Sequence, residues 1–269
     1  MTPRPPEGDW LGTPYLRFER HGPFATVTVD RPQARNALTP AMYFGIRYAI
    51  DHVGRDADLH GLLLTGVDDV FIPGGDLGGS NVDGWADLPM LLGMDNTPFE
   101  AVRRSPKPIV CAVNGLCQGG GLMIAMLSDV TVASDRATFR SPELFRGIAD
   151  TNYAQVLPRQ IGPARARDML MTGRTVTAPE ALEWGIVARL VAHEDLLAEA
   201  RSVLEMCART APEARLAVKR TLHEYYGHYD RMGMDASLFG PESVEGFRSF
   251  KERRSPAWVP EELKTDGRI

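Results

Sequence analysis

The chain has 269 residues, 43% of them hydrophobic and 24% charged, enough apolar material to bury the core of one large or two small domains. With 30 basic and 35 acidic residues the formal charge is −5, which argues against nucleic acid as the main partner. Cys111, Cys117 and Cys207 are too few and too irregularly spaced for a disulfide framework or a paired zinc motif, so reduced thiols in a cytoplasmic protein are expected.

Residues 1–14 carry four prolines and two glycines and are read as an irregular arm. This start is unlike a signal peptide, and no apolar run reaches the roughly 18 to 20 residues needed to cross a bilayer. A soluble chain without a membrane partner is expected. Residues 15–20 alternate and residues 23–30 are β-branched and apolar, which predicts two strands joined across His21-Gly22. Thr39-Pro40 then supplies a helix cap followed by proline, with Met42, Ile46, Ala49 and Ile50 at helical spacing. Buried strands are predicted at 61–66, 108–113 and 130–133, and an apolar helix at 120–127. Short buried strands alternating with helices indicate an α/β protein with covered sheets. From residue 164 the pattern turns helical: 164–172, 178–184, 193–211, 213–226 and 243–254. The predicted organisation is an arm (1–14), a core (15–163) and a helical C-terminal region (164–269).

Gly119-Gly120-Gly121 falls between a predicted strand and a predicted helix, where unpaired N–H groups and the positive end of a helix dipole coincide. Alone, such a site suits an anion, a dinucleotide phosphate or merely a tight turn beneath a buried helix. The spacing G-x-G-x-x-G of a dinucleotide loop is missing. A second glycine pair occurs in Phe71-Ile-Pro-Gly-Gly-Asp-Leu77, again after a predicted strand. Two glycine-flanked donors from separate strand ends can converge on one developing oxyanion.

At this point the sequence resembles the crotonase (enoyl-CoA hydratase/isomerase) superfamily. The resemblance is carried by Arg31-Pro-Gln-Ala-Arg-Asn-Ala-Leu38, by residues 71–77, and by Ala112-Val-Asn-Gly-Leu-Cys-Gln-Gly-Gly-Gly121. Further matches are Ser128-Asp129, Phe139-Arg-Ser-Pro-Glu143, Leu157-Pro-Arg159 and Thr172-Gly-Arg174. It implies a ββα spiral core with a helical C-terminal trimerisation region, and an acyl-CoA substrate in which CoA is part of the substrate rather than a separate cofactor. Gly75 and Gly120 would supply the two oxyanion-hole N–H groups. Ala37, Pro73, Gly75, Asp76 and Leu77 would neighbour the CoA, with core packing as the competing reading of Ala37 and Leu77. Lys251 and Arg253 are similar to cations near the CoA phosphates, and a solvated face accounts for them equally well. Trp85, Met90, Leu91, Leu92 and Met94 fall where relatives line the acyl pocket. A homotrimer or hexamer is implied, and the apolar face at Leu196, Val203, Leu204 and Cys207 needs cover from its own chain or another. The histidines form no ligand-spaced set, and no metal is expected.

Hydratases of this superfamily carry two glutamates over the oxyanion hole. The first position is Met123 here, and a thioether carries no proton; Glu143, after Pro142, matches the second. Asp150 follows seven residues later, as a second acid/base or as a loop cap. One glutamate without its partner resembles members that move a double bond, so isomerisation with Glu143 as proton shuttle fits better than plain hydration. Hydration, hydrolysis or carbon–carbon cleavage by Glu143 with Asp150 stays open, as does a noncatalytic acyl-CoA binder.

Overall fold

A computed structural model describes residues 5–76, 84–93, 98–227 and 230–264. Contacts divide the chain into two compact units, Met1–Phe139 with Val176–Tyr225, and Arg140–Thr175 with Tyr226–Ile269. Residues 164–269 are thus shared between the two units.

In the first unit the chain enters through β1 (Leu16–His21) and β2 (Phe24–Val29), an antiparallel pair turning at Gly22. Residues 5–14 before it are irregular, yet Leu11 and Thr13 are buried, so the end of the arm belongs to the core. Helix α1 (Pro40–Arg55) starts where expected: the Thr39 hydroxyl accepts from the Met42 N–H at 3.2 Å, a cap worth about 1 kcal/mol. Strands β3 (Leu62–Gly66) and β4 (Val70–Ile72) follow, then α2 (Leu88–Gly93) and α3 (Phe99–Arg104). Next come β5 (Ile109–Val113), β6 (Leu116–Gln118), α4 (Gly120–Leu127), β7 (Val130–Ser134) and β8 (Thr138–Arg140).

The second unit begins with α5 (Thr151–Ile161) and α6 (Pro163–Thr172). The chain then returns to the first unit for β9 (Val176–Thr177), α7 (Ala178–Trp184), β10 (Arg189–Val191), α8 (Leu196–Ala208) and α9 (Pro212–Glu224). It ends in the second unit with α10 (Arg231–Leu238) and α11 (Pro241–Glu252).

Two sheets share the first unit. The larger has the order β1-β2-β3-β5-β7-β10 and is parallel from β2 onward; the smaller has the order β4-β6-β8-β9. The chain therefore alternates between sheets as it winds, the spiral that the resemblance implies. The central strands LLLTG, IVCAV and VTVAS are nearly all buried, as a parallel sheet covered on both faces requires. One cover is α8, whose Leu196, Ala200, Val203 and Leu204 pack on Leu63, Val110, Ala112 and Val132. That apolar face is thus satisfied by the chain's own sheet. Behind it, buried Lys219 of α9 donates to Asp129 at 2.8 Å, and Asp129 also accepts the Ile109 N–H at 2.8 Å. Among the described residues no helix is long and apolar enough to cross a membrane.

Candidate active site

The first unit brings the two glycine segments together. Gly74 adopts φ +112°, and a side chain built on it would come within 3.7 Å of the Gly119 Cα and 3.9 Å of the Gly120 nitrogen. On one side of Gly75 the Leu38 N–H donates to the Gly74 carbonyl, and on the other the Asp76 N–H donates to the Leu38 carbonyl, each at 2.9 Å. The bridge thus uses the neighbours and leaves the Gly75 N–H pointing away from it, on an exposed residue. Gly120 is the first residue of α4, so its N–H is one of the helix's unpaired donors. Helix α4 lies so close to β4 that a Cβ at Gly121 would meet the Ile72 carbonyl at 2.2 Å. Only glycine permits that approach, and it fixes the Gly120 donor against the strand leading to Gly75.

A buried ion pair braces the Gly75 side. Arg31 Nη1 donates to Asp76 Oδ2 at 2.8 Å and to the Ala37 carbonyl at 2.8 Å, with side-chain exposures of 5% for Arg31 and 13% for Asp76. Asn36, itself left-handed at φ 61°, accepts the Arg31 N–H at 2.9 Å and donates to the Val70 carbonyl at 2.7 Å. The Arg31-to-Leu38 loop and the Phe71-to-Asp76 loop are therefore one hydrogen-bonded body. The Asp76 carboxylate is engaged with Arg31, and Ala37 turns its carbonyl to the same guanidinium.

The second unit holds the carboxylates. Glu143 opens a short 3-10 turn ending at Arg146, and Ser141 donates to its Oε2 at 2.6 Å. Asp150 caps α5, its Oδ1 accepting the Tyr153 N–H at 3.2 Å. The loop between them is held by α10 and α11. The Ala149 N–H donates to Ser237 Oγ at 2.6 Å, the Arg146 guanidinium lies 4.1 Å from the Phe250 ring centre, and Gly246 admits the Arg146 backbone where a Cβ would clash. Burial, and then the neighbouring Asp150 carboxylate, pushes Glu143 up to about 8; burial also raises Asp150, to about 6. Near neutrality such a pair keeps one proton between two carboxylates.

A stability prediction follows from these shifts. Between the ordinary value near 4.5 and about 8, folded Glu143 keeps a proton that the unfolded chain has released. Stability therefore falls as pH rises through that window. Glu143→Gln is expected to raise the melting temperature by several degrees relative to wild type at pH 8 and by less at pH 5; a gain independent of pH would refute the raised value.

Among the remaining candidates, Met123 is buried in α4 and Pro73 is half-buried beside Gly74. Trp85 donates from Nε1 to the Gly12 carbonyl at 2.6 Å and packs on Phe44 and Tyr48, where Leu91 joins it. Met90 is exposed. Leu77, Met94 and the side chain of Leu92 lie outside the described residues. Lys251 and Arg253 are exposed at the end of α11. Sequence reasoning passed over Arg31, Ser141 and Tyr43. A signal existed for each: an arginine opening a loop that ends in a capped helix, a serine two residues before the candidate acid, and a phenol amid apolar helix positions.

Comparison with known proteins gives the family. The family model for enoyl-CoA hydratase/isomerase matches residues 19–261. Carnitinyl-CoA dehydratase of Citrobacter koseri is 33% identical over 267 aligned residues, covering 90% of this chain and 97% of that protein. A crystal structure of an enoyl-CoA hydratase/isomerase from Pseudoalteromonas atlantica superposes with a TM-score of 0.78 at 28% identity, covering 91% of this chain and all of the other. The carnitinyl-CoA hydratase of Mycobacterium avium gives 0.77 at 28% identity, covering 91% and 98%. With a paired-glycine cradle, a spiral of two sheets and matches across nine-tenths of its length, the chain belongs to the enoyl-CoA hydratase/isomerase family, the crotonase superfamily of acyl-CoA enzymes.

Proposed function

We propose that this enzyme adds water to, or removes it from, an acyl-CoA thioester, with Glu143 and Asp150 as its acid/base pair. The observation that carries this reading is the placing of two carboxylates on one loop, Glu143 at the head of its 3-10 turn with Ser141 donating to it and Asp150 at the cap of α5, both raised by burial. Two such carboxylates sharing a proton offer a donor and an acceptor at the same pH. In dehydration the ionised member removes the C2 proton, the thioester oxygen takes the charge against the N–H groups of Gly75 and Gly120, and the protonated member supplies a proton to the departing C3 hydroxyl. Loss of one such donor costs about 3 to 4 kcal/mol of barrier. Hydratase and dehydratase names among the relatives support the same chemistry.

The second reading is double-bond isomerisation by Glu143 alone, favoured by Met123, which offers no proton. Incubation with 3-hydroxyacyl-, 2-enoyl- and 3-enoyl-CoAs, followed by mass and by absorbance of the conjugated thioester, separates them. Interconversion of the first two supports hydration. Conversion of 3-enoyl to 2-enoyl without a mass change supports isomerisation, and inertness toward every one of them refutes both.

The assembly proposed is a homotrimer or a pair of trimers. Val218, Leu222 and Tyr225, spaced four and three apart on or just beyond α9, are 59%, 63% and 65% exposed. Such a stripe suits a partner surface. Light scattering should return a multiple of three chains at micromolar concentration; a 29.6 kDa monomer would refute it.

A further inference from the structure

Tyr43 reaches both glycines of the cradle. A side chain built at Gly120 would meet the Tyr43 hydroxyl at 2.4 Å and its ring at 3.2 Å, and one built at Gly75 would meet the hydroxyl at 3.7 Å. The phenol therefore occupies the space that a side chain at 120 would need, and its oxygen lies on the side-chain face of both glycines. Its place is firmly set. Tyr43 lies in the first turn of α1, whose start is fixed by Thr39, is 9% exposed, and meets the Phe99 ring edge-on at 6.4 Å.

We propose that the Tyr43 hydroxyl is a third donor of the oxyanion cradle, hydrogen-bonding the thioester oxygen as it becomes an enolate. This rests on the reading of the Gly75 and Gly120 N–H groups as the other two donors. A neutral carbonyl oxygen has two lone pairs, which two amides satisfy. An enolate oxygen carries more charge and accepts a further bond. A third donor thus binds the transition state more than the ground state, the condition for raising turnover rather than affinity. A hydroxyl suits this work because it rotates to follow the charge, whereas the two amides are fixed by strand and helix.

The test uses hexanoyl-CoA labelled with 13C at the thioester carbonyl, a saturated probe that binds without turning over. Two quantities are read in D2O: the infrared carbonyl stretch of the bound probe, and deuterium uptake at C2, which counts enolate formation. Wild type should lower the stretch and exchange C2. Tyr43→Phe, which keeps the ring, should bind within a few-fold of wild type, keep most of the carbonyl shift from the two amides, and exchange C2 about 10²-fold more slowly. Tyr43→Met must show the same loss if the phenylalanine variant folds poorly. Unchanged or faster exchange in both variants, with the wild-type carbonyl shifted, would overturn the role of Tyr43 alone; faster exchange would mean that the hydroxyl competes with substrate. An unshifted carbonyl and no exchange in wild type would instead overturn the cradle, and the third donor with it.

Discussion

Glu143→Gln is expected to bind acyl-CoA almost as tightly as wild type and to lose about 10² to 10⁴ in turnover, the usual worth of a positioned acid/base group. Asp150→Asn is the decisive companion. Asparagine caps a helix as well as aspartate does, so the α5 cap survives while the second titrating group is removed. A loss comparable to that at Glu143 means both carboxylates move protons, as water addition requires; a small loss returns the chemistry to one base and to isomerisation. The pH dependence of kcat/KM gives a second view. With the two carboxylates raised to about 6 and about 8, the pair should titrate in two steps and give a bell in that range, which Asp150→Asn should reduce to a single titration. Full activity in Glu143→Gln would end the proposal. Met123→Glu, the converse experiment, places a carboxyl at a buried position of α4, and it should gain hydration only at a cost in stability.

Asp76→Ala should destabilise the fold by about 3 to 5 kcal/mol, because it strands the Arg31 guanidinium in the interior without its counterion. The damage should extend to activity. The pair ties the Gly75 segment to the Asn36 loop, so its loss frees one of the cradle donors to wander, and small misplacements of positioned groups cost large factors in rate. Arg31→Met combined with Asp76→Leu separates the two effects. Replacing both ions by apolar groups should recover much of the stability without restoring full turnover, since the tether to the Ala37 carbonyl is also gone. Denaturant melts and steady-state kinetics on wild type and the two variants decide it; a cost below about 1 kcal/mol for Asp76→Ala would show the pair to be incidental.

Much of this architecture is legible in the chain itself. Apolar runs of five or six residues marked β2, β3, β5 and β7, and Thr39-Pro40 marked the start of α1, because each signal is local. The short strands β4, β6, β8, β9 and β10 have two or three residues each, too few to show any period. Helix α5 escaped because Pro158 stands inside it, although Asp150 at its cap was already in view as a loop-capping residue. At the site, the glycines were found through the backbone freedom they confer. Arg31, Ser141 and Tyr43 matter through partners distant in space or through a single hydroxyl, and no pattern along one element reports that. The Glu143–Asp150 coupling needed the loop's tertiary supports before it became visible.

The order of the larger sheet also bears on how the protein is made. Its strands join in the order in which they are synthesised, with β4, β6, β8 and β9 diverted to the second sheet. A chain emerging from the ribosome can therefore extend the sheet one strand at a time, never inserting a late strand between two early ones. This vectorial growth has a vulnerable interval. The face formed by Leu63, Val110, Ala112 and Val132 waits for α8, and the edge of β7 waits for β10. A nascent chain stalled between residues 134 and 189 exposes both an apolar sheet face and an unpaired edge, the surfaces through which partly made proteins aggregate. Chaperone demand should accordingly peak in that stretch of translation and fall once α8 has been released.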